Sequence, residues 1–529
     1  QIVQLNRDLQ AAAAAAPLKL PLFISIDQEG GRGARLPRSL ATSFAGNMAI
    51  GATLPAFGSR YATEVGTAIA QQLNSLGINL NFAPSLDVNN NPANPVINAR
   101  SFGDNAAAVA QAGGAMLSAM QAAGVLGTIK HFPGHGDTHV DSHTGLPLVE
   151  HDKATVEAVD LYPFRQLIKQ HQPAMVMTAH IQYPALDNSS LTTKSGEAVI
   201  KPATLSRAIL TDLLREDMGF DGIIITDALN MAGISQFFTP AEAVIQTFAA
   251  GADIALMPYE MKTPADIKAL AVLIDQVVAA VQQGKLNSAE VAESAQRITS
   301  LRQQLSTKQH ALALPDSERL ADDLQLEQQL AEASLTLVGT NKLKLPLNLA
   351  ALKLHLIAPD QTKCQSWLQA LGLWGVKPMS VTCSDLTSFE QNLALQQIKQ
   401  ADLVLGSLIS PAQSAAELGV LADLQALPTM KLTVSDQKQL LVQLLQQAKT
   451  QGKKTVMVSL RTPYELADFA DSADVRLATY SYNQKPQTAL RPFSGPAYDA
   501  VIAFLLGKIQ ARGQLPVSLT TADGQAQRR

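Results

Sequence analysis

The stretch KHFPGHGDTHVDSHTGLP, Lys130 to Pro147, holds His131, His135, His139 and His143, one at every fourth residue. On an α-helix that spacing would stack the rings on one face, the geometry of histidine zinc sites. Pro133, Gly134 and Gly136 lie between them, and a continuous helix does not survive such residues. With no cysteine nearby, a subset of the histidines could hold a metal only if Asp137 or Asp141 completed the site by chance of loop geometry, so none is expected; the proton-transfer chemistry below requires neither a metal nor an organic cofactor. What remains is a glycine- and proline-rich loop leaving a strand and carrying Asp141 and His143. Extended backbone turns residues two apart to the same side, so the Asp141 carboxylate can reach one ring nitrogen of His143. That would fix the tautomer and leave the other nitrogen free for proton transfer. A solvated surface pair is the plainer alternative. Asp227 closes the isoleucine-rich run GIIITDAL and precedes a helical stretch, where capping alone would account for it.

These residues need a scaffold, and the chain supplies a regular one. Short β-rich runs recur from Leu22 onward: LFISI, INLNFAPSLDV, GVLGTIKHF, AMVMTAHI, GIIITDAL and DIALMP, each followed by a polar loop and a helical pattern. The alternation predicts a parallel sheet with crossover helices. Asp27, Asp87, Lys130, His131, His180 and Asp227 fall at the ends of these runs, as the C-terminal mouth of a (β/α)8 TIM-like barrel requires. The α/β architecture expected is such a barrel over residues 1–310, with one further strand upstream of Gln1, then a linker over 311–330 broken by Pro315. A smaller αβα sandwich follows over 331–529, with strands at LTLVG, LKLHLIAP, KPMSVTC, ADLVLGSLI, KTVMVSL and VRLATYSY. The second domain has no GxGxxG or Walker loop and is assigned no nucleotide. TTADGQAQRR reads as a frayed tail.

Composition narrows the function classes. The 529 residues are 47% hydrophobic and 16% charged, enough for a large core in more than one domain. A net charge of -4 without a basic cluster argues against nucleic acid as a partner. No apolar run reaches the roughly 20 residues of a membrane span. Cys364 and Cys383 are the only cysteines, and two free, buried thiols are expected. The chain opens within an apparent helix and without Met, so the compartment is open, and export or lipid anchoring is favoured over the cytoplasm only by the resemblance that the motifs below carry. Oligomeric state is not legible.

KHFPGHG at Lys130–Gly136 and DSH at Asp141–His143 closely resemble the strand-4 loop of the β-N-acetylglucosaminidases of glycoside hydrolase family 3, the NagZ type, in their two-domain form. DQEGGRGARL from Asp27, NFAPSLDVNNNP from Asn81, ARSFG from Ala99 and IITDALNMAGI from Ile224 follow in the same order. The resemblance implies a retaining glycosidase with Asp227 as nucleophile and His143, oriented by Asp141, as acid/base. It also implies that Asp27, Arg35, Arg100, Lys130 and His131 hold the GlcNAc ring. One departure is Gly33 where the family's Gly-Gly-Arg-Val has Val, which loosens the turn before Arg35. The implied substrates are peptidoglycan fragments, GlcNAc-MurNAc or its anhydro form, with chitooligosaccharides as the rival. Three other readings compete: a family 3 β-glucosidase or xylosidase, a GlcNAc phosphorylase using the same dyad, and a silent sugar-binding protein. Glu29 and Asp87 read as loop anchors, and His135 and His139 as loop-shaping or solvent-facing.

Overall fold

The computed structural model describes residues 1–529 except 144, 307–316, 341–342, 412–416, 418–431, 485–494, 521–525 and 528–529. The break expected at Pro315 and most of the expected frayed tail lie outside the described residues. By contacts the chain forms two compact units. One holds 1–29, 62–101 and 105–315; the other holds 30–61, 102–104 and 316–529.

The first unit is built on a parallel sheet. Its strands are β1 (Ser25–Ile26), β2 (Leu80–Asn81), β3 (Leu126–Phe132), β4 (Met175–Thr178) and β7 (Ile223–Thr226), side by side in that order. A parallel bridge from Ile225 to Ile254 carries the ladder one segment further, at the DIALMP run. Five of the six expected strands are therefore in place, each followed by the loop that carries its polar residues, and the sixth run contributes that single bridge. The runs are rich in β-branched and long apolar residues because both faces are covered. Leu80 and Phe82, Met175 and Met177, and Ile223 and Ile225 alternate onto one face and pack together with Ile298 and Leu301 partly buried against them. On the other face Asn81 ties β1 to β2, its side chain accepting from and donating to the Gln28 backbone at 2.9 Å each way. A small antiparallel hairpin, β5 (Ser190–Thr192) with β6 (Ala198–Ile200), turns at Gly196 with φ +89° and was not expected from the pattern. The helices start where their side chains can satisfy free N–H groups: Asn105 caps Ala106–Ala122, and Thr239 with Glu242 boxes Pro240–Ala250.

The second unit centres on a six-stranded sheet ordered β10 (Ser380–Asp385), β9 (Lys353–Ala358), β11 (Leu403–Leu408), β12 (Lys454–Ser459), β13 (Val475–Ala478), β8 (Thr336–Thr340). All pairs are parallel except β13 with β8 at the edge. Trp367, from the helix Gln361–Leu373, anchors the core, edge-to-face with Tyr498 at 4.9 Å and donating its indole N–H to Ser407 Oγ at 3.0 Å. The expectation of free thiols is overturned: Cys364 and Cys383 form a disulfide. The helix Gln361–Leu373 packs on β9 and β10 and brings the two Cα atoms to 6.0 Å, within bridging reach. That proximity comes from helix-on-sheet packing, which a 19-residue separation in sequence does not announce.

Candidate active site

Four of the five residues expected to hold a sugar belong to the first unit, and three of them, Asp27, Lys130 and Arg100, meet in one charged network around Glu29. Lys130, near the end of β3 and with a side chain only 2% exposed, places Nζ 2.7 Å from both Asp27 Oδ1 and Glu29 Oε1. Arg100 forks onto Glu29, Nε to Oε2 at 2.9 Å and Nη2 to Oε1 at 2.7 Å. Burial alone would lower the pKa values of Lys130 and Arg100. The carboxylates beside them reverse that and raise both pKa values, with Asp27 and Glu29 acting on Lys130 and Glu29 foremost on Arg100. Burial likewise opposes ionisation of Glu29, but Arg100 and Lys130 hold it well below the usual carboxylate range. Asp27 is the open end of the network, its side chain 38% exposed.

His131 is fixed by Asp87. The Asp87 carboxylate accepts from His131 Nδ1 at 2.7 Å, from the His135 backbone N–H at 2.7 Å, from the His131 N–H at 3.2 Å and from Ser85 Oγ at 2.8 Å. Burial would raise its pKa, yet His131 outweighs burial and keeps it ionised. The proton of His131 therefore sits on Nδ1, and Nε2 remains available. Glu29 and Asp87, read from sequence as loop anchors, are the counter-ions that hold Arg100, Lys130 and His131 in place. The signal was their spacing, two residues after Asp27 and at the end of SLD.

The four histidines part company. His135 is buried; its Nδ1 meets Thr138 Oγ1 at 2.7 Å and its Nε2 meets Ser142 Oγ at 3.1 Å, so it shapes the loop from within. Burial, with His131 adding, lowers its pKa to about 4 and leaves it neutral at pH 7. His139 is exposed and touches Asn91 Nδ2 at 3.2 Å. His143 is 37% exposed, its Nδ1 2.7 Å from Asp141 Oδ1, while its backbone N–H donates to the same oxygen at 2.9 Å. Burial opposes ionisation of Asp141, but the His143 contacts hold its pKa down. Asn91 and Asn94 grip the loop from outside: Asn94 Nδ2 donates to the carbonyls of His135 and Gly136 at 2.8 and 2.9 Å, and Asn91 Nδ2 donates to that of Thr138 at 3.2 Å.

Asp227 follows β7 directly, its N–H on the Thr178 carbonyl at 3.1 Å and its Oδ1 accepting from Ala228 N–H at 2.8 Å. It is half-buried; desolvation would raise its pKa, but the fields of His131 first, then His180 and Lys130, with the Ala228 N–H, hold it below the ordinary carboxylate value. His180 is clamped between Thr204 Oγ1 at 2.9 Å and the Ala228 carbonyl at 3.0 Å. Burial lowers its pKa, with Asp227 pulling the other way and His143 among the lesser influences. The loop with Asp141 and His143 docks directly beyond Asp227, where Gly233 N–H donates to the Ser142 carbonyl at 3.1 Å. A Cβ at Gly233 would sit 2.9 Å from the Gly145 carbonyl oxygen and 3.3 Å from His180 Cβ. Asp27, Arg100, Lys130, His131, Asp141, His143 and Asp227 thus all belong to the first unit. Arg35 does not: it is half-buried within 30–61, which groups with the second.

Residues 1–301 match the family described as Glycosyl hydrolase family 3 N terminal domain, more than half the chain. The chain belongs to glycosyl hydrolase family 3. The resemblance read from KHFPGHG and DSH is borne out, and this family 3 chain is a glycoside hydrolase. It is 47% identical over 520 residues to Beta-hexosaminidase A of Pseudoalteromonas piscicida, covering 98% of this chain and 87% of that protein. It is 36% identical over 300 residues to Beta-hexosaminidase LpqI of Mycobacterium tuberculosis, covering 54% of this chain and 68% of that one. The family 3 β-N-acetylglucosaminidase of Paenibacillus sp. str. FPU-7 superposes with a TM-score of 0.78 at 30% identity, over 98% of this chain and 90% of that one. No helix among the described residues of this family 3 enzyme is long and apolar enough to cross a membrane.

Proposed function

We propose that the enzyme is a retaining exo-β-N-acetylglucosaminidase that removes GlcNAc from non-reducing ends. The observation that carries this is the Asp141–His143 pair on a loop docked at Gly233, just past the half-buried Asp227, whose pKa is held down by its neighbours. Asp227 Oδ2 attacks the anomeric carbon as the glycosidic bond breaks, and His143 Nε2–H gives its proton to the departing oxygen. The Asp141 carboxylate holds Nδ1–H, so the reacting nitrogen is Nε2 and the charge on the imidazolium is balanced. Water then attacks the glycosyl-Asp227 ester, His143 Nε2 takes its proton, and the sugar leaves with its configuration retained.

Asp27, Lys130, Arg100 and His131 supply the charged donors and acceptor suited to the hydroxyls of the ring beside the broken bond. Arg35 is proposed with them on the resemblance alone. The likeness to proteins named hexosaminidases favours GlcNAc over glucose. Peptidoglycan fragments, GlcNAc-MurNAc or its anhydro form, are the proposed natural substrates. The architecture proposed to carry the site is a (β/α)8-type barrel followed by an αβα sandwich, supported by the parallel ladder from β1 to Ile254 and by the helices on the six-stranded sheet.

The test is turnover of 4-nitrophenyl β-GlcNAc and β-glucoside and of a GlcNAc disaccharide by wild type, Asp227→Ala and His143→Ala. Wild type is expected to prefer GlcNAc and to release the β-anomer first. Asp227→Ala should be inactive, with azide restoring an α-glycosyl azide. His143→Ala should lose roughly a hundredfold or more on the disaccharide and far less on the nitrophenyl glycoside, whose leaving group needs little protonation. Equal losses on both substrates would remove His143 from the proton-transfer role.

A further inference from the structure

The loop from Pro133 to His143 is held at a second place, away from the sugar network. His151 lies beyond the loop, directly before Asp152, whose carboxylate caps Lys153–Thr155 by accepting from Thr155 N–H at 2.8 Å. The preceding segment is strapped down by backbone bonds of Val149 N–H to the Gln182 carbonyl at 3.0 Å and Gln182 N–H to the Pro147 carbonyl at 2.9 Å. On this fixed platform the His151 ring spans two carboxylates. Its Nδ1 is 2.7 Å from Asp160 Oδ2 and its Nε2 is 3.1 Å from Asp137 Oδ2, with Asn90 Nδ2 3.2 Å from that same nitrogen.

The two carboxylates differ in kind. Asp160 is a framework residue, its side chain 1% exposed, while Asp137 rides on the loop itself. Tyr183 Oη donates to the Gly134 carbonyl at 2.6 Å, and a Cβ at Gly134 would fall 3.1 Å from both Asp160 Cβ and Tyr183 Oη. The loop therefore leaves β3 pressed against Asp160 and is caught again three residues later by His151. The hydrogen bond to Asp160, with Asp137 and Asp152 nearby, raises the pKa of His151 against the opposing effect of burial. That favours the imidazolium, the one form that donates to both carboxylates at once, with the Asn90 amide then turned to set its oxygen rather than its nitrogen against Nε2.

Resting on the acid/base reading of His143, we propose that His151 is a positioning residue for proton transfer: it clamps Asp137 of the loop to Asp160 of the framework and so holds Asp141 and His143 in register. Its effect reaches the reaction only through the acid that the loop carries. Loss of the clamp should therefore be felt in proportion to how much proton the leaving group needs.

The experiment measures kcat/KM for aryl β-GlcNAc substrates running from 2,4-dinitrophenyl to unsubstituted phenyl, with the folded fraction checked by thermal melting. His151→Gln keeps a polar side chain of similar reach but carries no charge; Asp137→Asn tests the same contact from the more exposed partner. Both are expected to lose about threefold or less with dinitrophenyl and roughly ten- to hundredfold with phenyl. The double variant should be no worse than the more damaged single one, since both remove one contact. Equal losses across the series by folded His151→Gln and Asp137→Asn would overturn the clamp. His143→Ala in the same series separates the two claims. A leaving-group dependence in His143→Ala without one in the clamp variants sinks the clamp alone, and none in His143→Ala sinks the acid/base reading and the clamp with it.

Discussion

At the scale of single residues the site is a set of charges that burial would extinguish and that pairing keeps alive. Lys130, Arg100, Glu29 and Asp87 are each desolvated, and each is returned to its charged form by a neighbour in hydrogen-bond contact. Asp87 shows the consequence most directly, because it accepts two backbone N–H groups, one hydroxyl and His131 Nδ1. Asp87→Asn would set an amide nitrogen against at least one of these donors and free His131 to turn its proton to the other nitrogen. Hydrogen bonds to charged groups contribute about 1.5–3 kcal/mol, so kcat/KM on 4-nitrophenyl β-GlcNAc should fall roughly ten- to hundredfold. Steady-state kinetics on the folded variant checks this; a fall below about twofold would mean that Asp87 only anchors the chain. Asp141, His143 and Asp227 were legible in sequence through residue type and motif. Glu29 and Asp87 were visible but undervalued, since a lone carboxylate in a loop says nothing of which buried cation will come to face it.

At the scale of elements, strand order was readable because each run ends in its own polar residues, and parallel strands bring those ends together. The loop after β3 was less readable: its four-residue histidine spacing is a property of counting, and its conformation is set by distant partners. Gly136 marks the closest approach, where a Cβ would stand 1.7 Å from the Val88 carbonyl oxygen. Backbone cannot yield that distance cheaply, so Gly136→Ala should push the loop from the segment after β2 that grips it through Asn91 and Asn94. The expected outcome is a loss of disaccharide turnover of at least about tenfold, with a melting temperature lowered by a few degrees. Comparison of Gly136→Ala with His143→Ala on the same substrate shows whether the displaced loop costs as much as the missing imidazole. The β5–β6 hairpin escaped the pattern for another reason: strands of three residues are too short to show a period. The edge strand β8 falls in the expected LTLVG run, and only its antiparallel pairing with β13 was unannounced.

At the scale of the whole molecule, chain order and compact units do not coincide. Residues 30–61 directly follow Asp27 and Glu29 in sequence, yet their partners come from the far end of the chain. Arg38 pairs with Glu327 at 2.7 Å, and Asn483 Nδ2 donates to the Phe44 carbonyl at 2.5 Å, with the helix Asn47–Phe57 packed on Ser317–Ser334. A fragment cut at residue 310 would leave this segment without those contacts and is expected to be aggregated or inactive when expressed alone. Circular dichroism and turnover of the 1–310 fragment decide it, and a soluble, active fragment would show that the later residues are dispensable. Glu465 gives the second unit a pH signature. Burial raises its pKa to about 8, so folding takes up a proton, and its stability contribution, complete below the unfolded value near 4.5, is lost as pH rises towards 8. Glu465→Gln should therefore be more stable than wild type at pH 8, with the difference shrinking at pH 5, as denaturant midpoints will record. Such linkage, like the Cys364–Cys383 bond, depends on packing that composition does not reveal. The bond has a further consequence: no free sulfhydryl is present on the native chain. A cysteine substituted at Val140, 43% exposed on the loop, would be its sole target for maleimide dyes, and fluorescence from that one position could follow the loop that carries His143 through a turnover.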